Sequence, residues 1–129
     1  MPKLVQKKSR VISIAIFSIF YGIAGLNHFI NPTFYLPLIP DWLPYHDGIN
    51  VISGLIEIVV GSLIWYTPWR KTISLATILM LAAFIPAHIH FIVEGSCVGE
   101  LCVHPAIGWL RLLIIHPILI YWAWSIRKS

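Results

Sequence analysis

The sequence predicts an all-α integral membrane protein: a four-helix bundle with both ends in the cytoplasm and a proline-rich interfacial lid after the first helix. Three observations carry this expectation. Hydrophobic residues make up 58% of the 129 positions and charged residues 11%, with a mean hydropathy of +0.82. A soluble domain carries about 25% charged residues, and nine bases with five acids cannot coat one of this size. Four apolar stretches each reach the roughly 20 residues needed to cross a hydrocarbon core as a helix. Outside those stretches, lysine and arginine occur in alternate connections only.

The first stretch runs from about Val11 to Phe29, the second from about Gly48 to Tyr66, the third from about Thr72 to Val93 and the fourth from about Pro105 to Ile126. The expected organisation is a basic tail (1–10), one transmembrane domain (11–126) and a short tail (127–129). Lys7-Lys8-Ser9-Arg10 before an apolar run also resembles a signal peptide, with Ala24-Gly25 as a cleavage site. The run is long for that purpose and further spans follow it, so retention is expected. Strand spans would need alternating polarity and closure into a barrel, and neither pattern occurs.

Orientation follows from the connections. Lys3, Lys7, Lys8 and Arg10 precede the first span, Arg70 and Lys71 separate the second and third, and Arg127 and Lys128 follow the fourth. Segments 30–47 and 94–104 hold no lysine or arginine. The positive-inside rule puts the basic segments in the cytoplasm, in the cytoplasmic (inner) membrane. The formal charge of +4 is therefore an orientation signal, and with no basic helical face or binding motif it gives no reason to expect nucleic acid.

The first outer connection contains Pro32, Pro37, Pro40 and Pro44, which prevent a long helix. Its leucines and aromatics suit partial burial as a lid over the outer mouth, with Trp42 and Tyr45 in an aromatic belt.

Ionisable groups within spans suggest function by default, because they are expensive there. Glu57 shares a helical face with Gly54 and Gly61, whose lack of side chains lets a neighbouring helix approach. Arg111 shares a face with His104 and Gly108, and a Glu57–Arg111 contact is expected, direct or through water or a histidine. His28 follows Tyr21 and Gly25 on one stripe of the first helix. His88 follows Thr77, Leu81 and Phe84, and Pro86 should bend that helix. Tyr21, His28, Glu57, His88 and Arg111 then line one outward cavity fit for proton exchange, with His116 either in it or at a subunit contact. The competing reading is that these groups only lock helix register. His90 should face elsewhere than His88, and His46 should be a solvated loop residue. No converging ligand set suggests a metal.

Cys97 and Cys102 are the only cysteines and fall in the second outer connection, where a disulfide is the default. The pair is either a structural staple or an exchangeable dithiol passing electrons onward; the spacing is not the usual CxxC of redox pairs.

Tyr21-Gly22-Ile23-Ala24-Gly25-Leu26-Asn27-His28-Phe29, then Pro32, Phe34-Tyr35, Ile39-Pro40 and Leu43-Pro44, form an ordered series of motifs. It continues with Ser53-Gly54-Leu55-Ile56-Glu57, Gly61, Phe84-Ile85-Pro86-Ala87-His88-Ile89 and Trp109-Leu110-Arg111, and ends at Ile120-Tyr121-Trp122-Ala123-Trp124. The series resembles the DoxX-like family of small four-helix membrane proteins over nearly the whole chain after the basic tail. The resemblance implies a redox association, with His28, Glu57, His88 and Arg111 on the family's polar positions. His88 stands where asparagine is the family residue, His116 where glutamine or another polar residue is expected, and the loop cysteines lie outside the general pattern.

The expected function is a quinone-interacting or redox-partner subunit of a membrane oxidoreductase system. Glu57, His28, His88 and Arg111 are its candidate catalytic groups, and Tyr21 and His116 would contact the quinone. No intrinsic cofactor signature is present, so electrons would pass through a partner protein or through Cys97 and Cys102. The alternative is a non-enzymatic scaffold or assembly factor within the bilayer, with a homo-oligomer or another membrane protein as partner. A small transporter is disfavoured by the lack of an internal repeat.

Overall fold

The computed structural model describes residues 2–128; Met1 and Ser129, the outermost positions of the two expected tails, lie outside the described residues. Apart from one minute hairpin the chain is all-α. In order it forms α1 (Pro2–Ile30), α2 (Pro32–Tyr35), α3 (His46–Leu63), α4 (Arg70–Ala83), α5 (Ile85–Val93), β1 (Cys97–Val98), β2 (Leu101–Cys102), α6 (Pro105–Leu110) and α7 (His116–Ile126). Four helical stretches among the described residues are long and apolar enough to cross a membrane: Lys3–Ile30, His46–Leu63, Thr67–Val93 and Pro105–Ile126.

Large apolar side chains fill the core, glycine and polar residues share the buried stripes with them, and large aliphatics also cover the outer faces. Ile14, Phe17, Tyr21, Gly25 and His28 form the buried stripe of α1, at the three- and four-residue steps of one helical face. Asn50, Gly54, Glu57, Gly61 and Ile64 form that of α3 and its C-terminal cap. These stripes meet along most of α3, while α4 pairs with α7. The opposite faces are apolar and open: Ile30, Leu79 and Val93 are 72%, 72% and 74% exposed.

Three features depart from the expected outline. The basic segment before Val11 is no separate tail; it continues α1 back to Pro2. The third span is broken rather than bent. Phe84 sits in a turn between α4 and α5, because Pro86 lacks an N–H and crowds the residue before it. In the fourth span, Arg111–Ile115 form a π turn in which the His116 N–H reaches the Arg111 carbonyl. Pro117, which cannot donate, follows at once, and such wide turns collect at functional sites.

Residues 31–45 form two short helical turns and a bend, consistent with four prolines. Leu38, Ile39 and Pro40 are buried, whereas Trp42 and Tyr45 stand out at the surface. His46 is not a solvated loop residue: it opens α3, and its Nε2 donates to the Pro40 carbonyl at 3.1 Å. The hairpin pairs Cys97 with Cys102 and Val98 with Leu101, turning through Gly99 at φ 53°, a conformation that suits glycine.

Candidate functional site

Two tight helix approaches build the first wall of the site. A Cβ on Gly54 would lie 2.8 Å from the His28 Cβ and 3.0 Å from the Gly25 carbonyl oxygen. A Cβ on Gly61 would lie 2.9 Å from the Ser18 carbonyl oxygen, and the Ser18 hydroxyl donates back to the Gly61 carbonyl at 2.6 Å. Glycine on α3 thus lets its polar stripe sit directly against α1.

That proximity sets the central network. The Asn50 side-chain amide donates to the His28 carbonyl at 3.0 Å, and its Oδ1 lies 2.7 Å from His28 Nδ1. An amide oxygen only accepts, so Nδ1 carries a proton. His28 Nε2 stands 3.2 Å from Glu57 Oε2, within ion-pair distance though not aligned as a hydrogen bond. With Nε2 also protonated, the two groups would form a net-neutral ion pair.

Tyr35, from the segment covering this end, stacks on His28 with ring centroids 3.7 Å apart and 18° between planes. Its hydroxyl accepts from Asn27 at 2.8 Å. Burial raises the Tyr35 phenol above its ordinary range, and nearby Glu57 adds to this against the opposing pulls of Asn27 and Arg111. The phenol stays neutral at physiological pH and keeps its proton for donation.

The other wall comes from the broken third and fourth spans. His116 Nε2 donates to the Leu81 carbonyl at 2.6 Å, beside the α4–α5 break, and the His88 and His116 rings meet edge to face at 4.8 Å. The Arg111 guanidinium lies over the Phe91 ring, 5.2 Å from its centroid. Between the walls is a cavity of about 370 Å³, within the range of small-molecule sites. Most of its lining is apolar. Tyr21, His28, Glu57, His88, Arg111 and His116, all singled out from the sequence, line this one cavity.

Of the expected Glu57–Arg111 contact, direct or through water or a histidine, the direct ion pair does not form: Glu57 faces α1 across the glycine contact and meets His28. Two buried atoms on this cavity have no hydrogen-bond partner, the Tyr21 hydroxyl and Glu57 Oε2. Asn50 escaped notice in the sequence, although its place seven residues before Glu57 puts it on the same stripe. Replacing Asn50 by leucine should cost about 2–3 kcal/mol in stability, since it leaves the His28 ring N–H buried without an acceptor. Chemical unfolding in detergent measures this, and a wild-type midpoint for the variant would contradict the network.

Cys97 and Cys102 lie away from the cavity and are disulfide-bonded, with Cα atoms 4.0 Å apart. Their hairpin packs on the covering segment. Val98 clusters with Leu38 and Phe91, with Tyr35 against them, and a Cβ on Gly99 would lie 2.8 Å from Pro37. Among the described residues, no three histidine, cysteine or acidic side chains converge as a metal site.

These features define a class: a small all-α protein whose four long apolar helices enclose an apolar cavity headed by a histidine–glutamate pair. Within that class, the family described as "Domain of unknown function (DUF8561)" matches residues 17–127, and the chain belongs to it. No curated protein matches the chain, and no solved structure does.

Proposed function

We propose that this chain is a DoxX-like, multi-pass protein of the cytoplasmic membrane that binds a quinone as one subunit of a redox system. The apolar outer faces of all four long helical stretches support the membrane setting, since large aliphatics turned outward with His28, Asn50, Glu57 and His116 buried inside suit lipid as solvent. The alternation of basic and base-free connections supports cytoplasmic ends, with the disulfide hairpin and covering segment outside.

One observation carries the ligand reading: two buried polar atoms that make no hydrogen bond, the Tyr21 hydroxyl and Glu57 Oε2, border a largely apolar cavity of about 370 Å³. Such a lining suits a flat ring with oxygens at its edge and an apolar tail. Tyr21, Tyr35 and Arg111 are donors that would hold those oxygens, and the phenylalanine-rich walls would hold the ring. A bound quinone supplies two-electron, two-proton chemistry, with a partner protein as the electron donor or acceptor. The residues of the chain would handle the proton: His28 Nε2 and Glu57 Oε2, 3.2 Å apart on the cavity wall, are the groups placed to exchange one with the quinone. His88 and His116 stand on the far wall of the same cavity, their rings edge to face.

Protein purified in mild detergent should retain endogenous quinone, detectable by solvent extraction and chromatography, and Tyr21→Phe should retain several-fold less. Absence of retained quinone, together with no binding of added ubiquinone or menaquinone analogues, would reject the reading. Orientation has its own check. An impermeant maleimide applied to intact cells should label Cys97 and Cys102 only after a reductant is added. Labelling confined to permeabilised cells would invert the arrangement.

A second reading is favoured by the completeness of the Asn50–His28 clamp, which ties α1 to α3 without any ligand. On that reading the protein is a membrane scaffold or assembly factor. Unchanged complex formation by a Glu57→Gln, Arg111→Met double variant, with no quinone bound by wild type, would favour it.

A further inference from the structure

At the end of the bundle opposite the cavity, we infer a site for the phosphate headgroup of an anionic phospholipid, between the first turns of α1 and the α3–α4 connection. The inference uses the membrane setting proposed above and does not depend on what the cavity binds. It starts from the continuation of α1 through the basic segment. On a helix, positions 3, 7 and 10 fall within about one-sixth of a turn of each other, so Lys3, Lys7 and Arg10 form one cationic row. Lys8 points about 130° away from it.

The row borders a groove of about 440 Å³ whose other side is Trp65 and Arg70 and whose floor includes Ile14. Among the described residues, no acidic side chain lines this groove. Arg70 is a fixed charge rather than a waving one: it is buried, with Nε donating to the Ile64 carbonyl at 2.9 Å and Nη2 to the Trp65 carbonyl at 3.2 Å. It thereby caps the C-terminal end of α3, where a cation is favoured. Trp65 is half exposed beside it, in the amphipathic position that indoles take at a headgroup level.

The three cations of the row, an indole and an apolar floor in one concave groove match a phosphodiester with an acyl chain leaving along the helix. Ordinary attraction of basic termini to a negative leaflet needs no groove and would treat neighbouring lysines alike. The groove makes them unequal. A free phosphate shares the charge chemistry but lacks the chain that Ile14 and Trp65 would contact.

The test compares adjacent lysines of equal charge. The full-length protein in dodecyl maltoside is titrated with dioleoyl-phosphatidylglycerol and read by native mass spectrometry. Lys7→Gln should weaken binding about fivefold, the worth of one surface cation, whereas Lys8→Gln should leave it nearly unchanged. Dioleoyl-phosphatidylcholine should bind more weakly, and millimolar inorganic phosphate should not displace the lipid. Equal losses in the two variants, no loss in Lys7→Gln, or equal binding of the zwitterionic lipid would each overturn the site. Displacement by inorganic phosphate would overturn the lipid as its occupant. Circular dichroism checks that each variant is folded. If Lys7→Gln is not, Arg10→Gln on the same row takes its place; it should show the same loss, and undiminished binding there would overturn the site as well.

Discussion

Gly25→Val should unfold far more readily than wild type, with a loss on the order of 3 kcal/mol, at the upper end for inserting carbon atoms into a packed interface. A Cβ at position 25 would lie 2.6 Å from the Gly54 carbonyl oxygen, 2.7 Å from Ile58 Cγ1 and 2.8 Å from the Ile58 nitrogen. Two of these three atoms are backbone, so no rotamer change relieves the clash and α3 must move away from α1. That movement also parts Asn50 from His28. Gly22, one turn earlier, is the natural control, because a Cβ there meets nothing within 4 Å. Gly22→Ala should be neutral or slightly stabilising through the lower entropic cost of alanine in a helix. Unfolding in mixed micelles compares the two, and equal stability would mean that α1 and α3 do not pack as described.

The second large effect is on chemistry. Glu57→Gln preserves size and a polar tip, so the fold should survive, but the amide cannot share a proton with His28. On the proposed quinone reading, quinol oxidation assayed with a redox partner should fall by a factor of about 10²–10⁴, the usual worth of a positioned acid–base group. Quinone retention should change much less, since the donors on Tyr21, Tyr35 and Arg111 remain. Undiminished turnover in Glu57→Gln would remove the pair from the mechanism. Loss of turnover with Gly25→Val would say only that the helices had separated, and the stability measurement tells the two cases apart.

Much of this arrangement is legible from residue spacing, because the glycine and polar residues of the apolar stretches recur on inward-facing stripes. The four apolar stretches, a disturbance of the helix at Pro86, the proline-rich segment over one end and the pairing of Cys97 with Cys102 all follow from local chemistry, although the spacing gave a bend at Pro86 and not a break. The cavity-lining set was readable as well, since each member sits on an inward stripe. Partner choice within that set was not. Charge alone favours Glu57 with Arg111, but the glycine contacts bring α3 against α1, and the carboxylate takes the histidine already there. Arg111 instead settles over Phe91, a contact set by the third span's break. The helical state of residues 2–10 was also hidden: a basic segment without apolar periodicity reads as a tail, and its continuity with a long apolar helix is what extends it.

The segment around Leu38 that covers the cavity is backed by a piece of chain remote from it in sequence, the hairpin around Val98. Neither buries much alone, so each depends on the other for its order, and both depend on Phe91 beneath them. Their backbone amides should therefore exchange with deuterium as one cooperative unit, faster than those of α1 and α3. Cutting the hairpin's disulfide would then be felt at Tyr35, and through its stacked ring at His28, without any helix having moved.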